Sequence, residues 1–119
     1  MNPTTGLTRQ DFACKCGCGG ATVDYELAGI LRDLEYQFGD LIVTSGYRCE
    51  KHNKSVGGVT GSMHTQGRAA DIQSVAVEAN VVQEYLLEKY PDKYGIGRYN
   101  TFTHIDSRSI KGRWDKRSR

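Results

Sequence analysis

The chain has 119 residues, 38% of them hydrophobic and 25% charged, with a formal net charge of +2. That balance excludes a disordered polymer and points to one domain, residues 1–119, with a modest core. No apolar run is long enough for a membrane span, and Met1-Asn2-Pro3-Thr4-Thr5-Gly6 has neither the basic start nor the apolar stretch of a secretory leader.

The protein is therefore expected to be made in the cytoplasm. Action outside the cell would need lysis, assembly into a larger particle or another route. Charge is unevenly spread. Residues 108–119 form a basic tail with six basic residues and one acid, while the rest holds 10 basic and 13 acidic residues. Such a tail suits an anionic surface. The blander expectation is a solvated, frayed terminus, with Trp114 pinning part of it to the body.

In chain order, Thr8 to Asp11 reads as the start of a short helix, with Thr8 as cap and Asp11 near the positive end of the helix dipole. Cys14-Lys15-Cys16-Gly17-Cys18-Gly19-Gly20 is a loop by its three glycines. Asp24 caps a predicted helix to about Phe38, in which Leu27, Ile30, Leu31, Leu34 and Phe38 form one apolar stripe. Gly39 ends it. Leu41 to Ser45 reads as a buried strand, and Val56 to Gly61 as a glycine-rich loop. A second strand is predicted over 69–73. The next helix is predicted over 77–90, with Val77, Val81, Val82, Tyr85 and Leu86 on one face and Pro91 beyond its end. Strands over 94–99 and 101–107 follow. Helices and strands mix without regular alternation, which predicts an α+β fold: a small, mostly antiparallel sheet with flanking helices.

Two segments carry chemistry. Ser62-Met63-His64-Thr65-Gln66-Gly67-Arg68-Ala69-Ala70-Asp71 supplies an imidazole and a carboxylate, and Phe102-Thr103-His104-Ile105-Asp106 supplies a second imidazole. Two borderline nitrogen donors and a hard oxygen donor match a catalytic zinc, which takes three protein ligands and keeps a fourth position open. Strand alternation puts His104 and Asp106 on one face, roughly 7 Å apart along the chain.

Three ordered blocks, Ser45-Gly46-Tyr47-Arg48, Ser62-x-His64-x-x-Gly67-x-Ala69-x-Asp71 and His104-x-Asp106, resemble the D-alanyl-D-alanine carboxypeptidase family of zinc peptidases. That family includes dipeptidases and phage endolysins that cut peptidoglycan peptides, and the hedgehog signalling domain shares its fold. The chain is most similar to short, often phage-encoded members, which also open with a Phe-x-Cys-x-Cys stretch and carry Gly-Tyr-Arg-Cys before an Asn and a Gly-Gly. The resemblance runs from about Phe12 to Arg108. It implies one catalytic Zn2+ on His64, Asp71 and His104. It implies that Arg48 holds the substrate carboxylate or polarises the scissile carbonyl, a task that suits a planar guanidinium. It also implies that Ser62 contacts the substrate backbone, for which the local alternative is a loop cap. The implied partner is a bacterial peptidoglycan peptide, with no nucleic acid and a monomeric chain, acting on the cell wall after lysis or as part of a phage particle.

One departure stands out. Many members of that family carry a carboxylate three residues before the last zinc-binding histidine, and here that position is Thr101, which cannot serve as a base near neutral pH. Asp106 is the substitute, either as base or as support for a ligand. His52 is the other candidate. The gap keeps a second reading open, a catalytically inactive zinc-binding module for cell-wall binding or phage structure. Cys14, Cys16, Cys18 and Cys49 allow three states: a structural zinc, although Cys-x-Cys-x-Cys is not the usual knuckle spacing; one or two disulfides; or reduced thiols.

Overall fold

The computed structural model describes residues 7–58 and 62–118. The opening six residues, Arg119 and the end of the glycine-rich loop (residues 59–61) lie outside the described residues. No helix among those described is long and apolar enough to cross a membrane.

The fold is α+β. Among the described residues, three α-helices, α1 (Tyr25–Phe38), α2 (Glu50–Ser55) and α3 (Ala79–Lys89), accompany five strands. These are β1 (Leu41–Ser45), β2 (Ala69–Ser74), β3 (Gly95–Arg98), β4 (Thr103–Asp106) and β5 (Gly112–Asp115), and short 3-10 turns cover Arg9–Phe12 and Met63–Gln66. The strand order is β1-β2-β4-β3-β5. Three ladders are antiparallel, and β5 joins β3 in parallel.

Period-two alternation gives the sheet two different faces. Val43, Ala70, Ile72, Ile96 and Ile105 enter the apolar core with Leu27, Ile30, Leu31 and Leu34 of α1. Asp24 starts α1 as predicted, its carboxylate accepting from the Leu27 N–H at 3.2 Å. Phe38 at the other end sits edge-on to Tyr85 of α3, with centroids 5.3 Å apart.

The opposite face follows from register. Asp71 of β2 pairs with His104 of β4, His104 with Gly97 of β3, and Gly97 with Trp114 of β5. A second row runs Ala69, Asp106, Gly95, Gly112. Each row thus places polar or aromatic side chains beside residues with little or no side chain of their own.

Three sequence expectations change. The tail is not a frayed terminus. Residues 112–115 form β5, the Lys116 N–H donates to the Arg98 carbonyl at 2.7 Å, and the Ser118 N–H donates to Asn100 Oδ1. Three of its cations are engaged within the molecule. Arg108 pairs with Asp106, Arg117 with Asp115, and Arg113 donates to the carbonyls of Tyr90, Lys93, Tyr94 and Gly112.

On α3, Val81 is exposed and Gln83 is buried instead. Its amide donates to the Tyr99 and Phe102 carbonyls, and its oxygen accepts from Arg98 Nε at 3.1 Å. A polar side chain tolerates burial when its groups are bonded in this way, and these bonds fix the turn between β3 and β4. The third change is α2, a helix of six residues within a segment that carries no apolar periodicity. Its N-cap is Cys49, whose sulfur accepts from the His52 N–H.

Candidate metal centre

His64, Asp71 and His104 converge. One ligand atom from each lies within 4.8 Å of the others, and all three residues are buried. Asp71 Oδ1 is 2.9 Å from His104 Nδ1 and 3.5 Å from His64 Nε2. Ligands at zinc bond lengths around a tetrahedral ion would be about 3.3–3.4 Å apart, so little movement is needed.

The remaining ring nitrogens settle which atoms face the site. His64 Nδ1 is 2.8 Å from the Gly46 carbonyl, which can only accept. Nδ1 therefore carries the proton and Nε2 turns its lone pair inward. His104 has the opposite arrangement. Its Nε2 lies 2.8 Å from Asp106 Oδ2, which leaves Nδ1 for the site. A ligating histidine held through its second nitrogen by a carbonyl or a carboxylate is the usual support of a zinc site. By donor type, spacing and tautomer, these residues fit Zn2+.

Local structure explains why they meet. Ser62 caps the 3-10 turn carrying His64, its hydroxyl accepting from the His64 N–H at 3.2 Å. Gly67 closes that turn in a left-handed conformation, φ 69°, with its N–H on the His64 carbonyl. The chain then enters β2 and presents Asp71 beside His104.

Asp106 is fully buried, and both oxygens are engaged. Oδ1 accepts from the Gly95 and Arg108 backbone N–H groups and from Arg108 Nε, and Oδ2 accepts from Arg108 Nη2 at 2.7 Å as well as His104. The carboxylate touches the nitrogen of His104 that points away from the ligand cluster. That placement suits holding the imidazole and does not suit taking a proton from the cleft. Thr101 is exposed and lines a separate groove with Gln73 and Ser74. His52 lies on α2 and is not one of the three converging residues.

The electrostatics agree with the hydrogen bonds. Burial opposes ionisation of Asp71, but bonds from His104 and His64 outweigh it and hold its carboxyl down at about 2. Asp106 is held well below the usual carboxylate range, because His104 and Arg108 overcome its burial. His104 is raised, since its bonds to Asp106 and Asp71 exceed the effect of burial. Both carboxylates are therefore fixed as anions.

Arg48 reaches the same cleft. Its Nη2 is 3.6 Å from Asp71 Oδ2, its Nε donates to Ser45 Oγ and its Nη1 to Asn53 Oδ1, both at 3.2 Å. Asn53 is buried, and a side chain at Gly58 would collide with it. The sequence reading named Arg48 without seeing this support.

The cleft has a volume of about 450 Å3, and Met63, Tyr99, Arg108 and Trp114 complete its lining. The sequence reading gave Tyr99, Arg108 and Trp114 no place in a site. Trp114 leans toward His104, with ring centroids 4.9 Å apart, and its Nε1 donates to the Tyr99 hydroxyl at 3.1 Å. Arg108 lies over the indole, with Cζ 5.3 Å from its ring. A Cβ at Gly97 would strike the Trp114 indole, and one at Gly95 would strike the Asp106 carboxylate. The available signal was Gly95-x-Gly97 within a strand, since paired glycines there mark a close approach by something else.

No curated protein and no solved structure matches the chain. A family model described as peptidase M15 matches residues 5–106. Arg108 and β5 fall beyond that match, whereas His64, Asp71, His104 and Asp106 all lie inside it. It covers most of the 119 residues, and the chain belongs to the peptidase M15 family.

Proposed function

We propose that this chain is a zinc-dependent peptidase acting on bacterial peptidoglycan peptides, as a D-Ala-D-Ala carboxypeptidase or an endolysin-type endopeptidase. The observation that carries the reading is the convergence of His64 Nε2, Asp71 and His104 Nδ1, each imidazole already turned by a second bond, at the floor of an open cleft. A zinc ion held there would supply Lewis acidity and lower the pKa of water to about 7.

The protein's own groups supply the rest. Arg48 is fixed by Ser45 and Asn53 beside Asp71, so its guanidinium can meet a terminal carboxylate or the scissile carbonyl oxygen. Ser62 both caps the His64 turn and lines the cleft, where its O–H is available to a peptide carbonyl. Asp106 positions His104 rather than moving a proton. The Tyr99 hydroxyl accepts from Trp114, which leaves its own O–H to donate toward a leaving amine. The proposed place of action is the cell wall, after lysis or from a phage particle, with the chain acting as a monomer.

A second reading has a specific observation behind it. Apart from Asp71, no carboxylate lines the cleft among the described residues, as expected for a zinc-binding module in cell-wall binding or phage structure that has lost catalysis. One experiment separates the two. Zinc content is measured, and the protein is then incubated with purified peptidoglycan and with a D-Ala-D-Ala peptide, with and without chelator. Zinc-dependent release of peptide or D-Ala supports the peptidase. Full zinc occupancy without product supports the binding module. A wild type without zinc, matched by His64→Ala, would sink the metal site itself.

A further inference from the structure

A second set of potential ligands lies at the other end of the Arg48 segment. We propose that Cys14, Cys16, Cys18 and Cys49 bind a structural metal ion of the zinc class, which fastens the N-terminal loop to the segment carrying Arg48. The four sulfurs lie within 4.8 Å of one another. Cys14 and Cys16 are 3.4 Å apart, Cys16 and Cys49 3.6 Å, and Cys14 and Cys49 3.8 Å. A disulfide needs about 2.05 Å. Four thiolates at about 2.3 Å from one zinc ion stand about 3.8 Å apart along the tetrahedron's edges.

Geometry around the sulfurs agrees. The Cys49 N–H donates to Cys14 Sγ and the His52 N–H to Cys49 Sγ, both at 3.4 Å. Backbone donors of this kind orient the sulfurs and would support them as metal ligands. Gly17 and Gly19 have φ of 84° and 90°, which lets three ligands gather from five residues. The Cys14 N–H closes the loop on the Gly20 carbonyl at 2.8 Å. The unusual spacing of the first three cysteines is resolved by a fourth ligand brought in from a distant segment.

Packing shows why a cross-link is needed. Residues 15–19 are all exposed, so no apolar burial holds this loop down. Beside it, the Tyr47 N–H donates to the Phe12 carbonyl at 2.8 Å, and a Cβ on Gly46 would lie 2.6 Å from Phe12 Cα. Gly46 also supplies the carbonyl that orients His64, and Cys49 directly follows Arg48. An ion at the cysteines would therefore brace both.

The test is metal stoichiometry on the full chain. Two zinc ions per wild-type chain are expected, one in His64→Ala and one in Cys18→Ser. Thiol-specific mercurial titration of the wild type should release one zinc as four thiols react. Cobalt-loaded His64→Ala should show sulfur-to-cobalt charge-transfer absorption that Cys18→Ser lacks. Where Cys18→Ser fails to fold, the mercurial titration of the wild type decides alone. Free reaction of all four thiols without metal release, or a mass lowered by two or four protons, would overturn the proposal. Because His64→Ala should keep the cysteine-bound ion, loss of the peptidase reading leaves this test intact.

Discussion

The two ligand clusters are organised in opposite ways. His64, Asp71 and His104 are buried, two of them on adjoining strands, and both imidazoles are fixed by bonds to groups that would not touch an ion. The cysteines are carried mainly by one exposed loop and supported by two N–H···S bonds. One cluster is shaped by sheet register, and the other, on our proposal, takes its shape from an ion. Preorganisation of the first kind suits reaction, where geometry must persist while the fourth position exchanges. The second kind suits a brace, where ligand binding and loop folding are one event.

The contrast can be broken most forcefully by removing metal. Complete chelation should abolish peptide release. It should also lower the thermal midpoint by roughly 10 °C or more, because an ion that binds only the folded chain stabilises it. His64→Ala should lose the activity with a much smaller thermal shift, as calorimetry beside a product assay would show. Equal thermal losses in both samples would erase the distinction.

Arg48→Lys comes next. A lysine cannot reproduce bonds to both Ser45 and Asn53 while facing substrate. We expect kcat/KM to fall about 10- to 100-fold, with zinc content unchanged. Asp106→Asn should weaken zinc binding at the His/Asp centre by about 10- to 100-fold and leave the cysteine-bound ion alone, measured by competition with a chelating dye. Unchanged zinc affinity, with loss of one limb of the pH–rate profile, would restore Asp106 as a base.

Gly97→Ala should displace the Trp114 indole, destabilise the protein by about 1–3 kcal/mol and shift its tryptophan fluorescence. Tyr94→Phe provides the control away from both clusters. It removes a 2.7 Å bond from a buried hydroxyl to Glu26 and should cost about 1 kcal/mol near neutral pH, with both ions retained. Burial, followed by the Glu26 bond, raises the Tyr94 pKa. Its contribution is therefore complete below the ordinary tyrosine range and lost as pH rises toward the raised value. Urea unfolding of wild type and variant at neutral and strongly alkaline pH should show the gap closing.

Much of the His/Asp centre was readable because strand alternation and ordered segments carry that information. His104 and Asp106 could be placed on one face from Phe102 to Asp106 alone. The partner of Asp106 could not, because Gly95 and Arg108 reach it through pairing and a turn that periodicity does not encode. Charge counting could not show that Arg113 and Arg117 spend their donors on carbonyls and Asp115. Hydropathy puts Val81 on the buried face of the helix and is silent on Gln83, whose burial depends on three hydrogen bonds that periodicity does not encode. The helix α2 was invisible because Glu50 to Ser55 has no apolar stripe, and its start depends on a sulfur cap.

The glycines of β3 set an order of assembly. Gly95 and Gly97 leave hollows that Asp106 and Trp114 occupy, and a strand with two glycines among four residues has little β propensity of its own. Trp114 is also synthesised after all three proposed ligands of the His/Asp centre. The cleft has its full wall only when β5 is paired with β3, so a folding intermediate lacking that pairing would hold the ligands without a finished pocket.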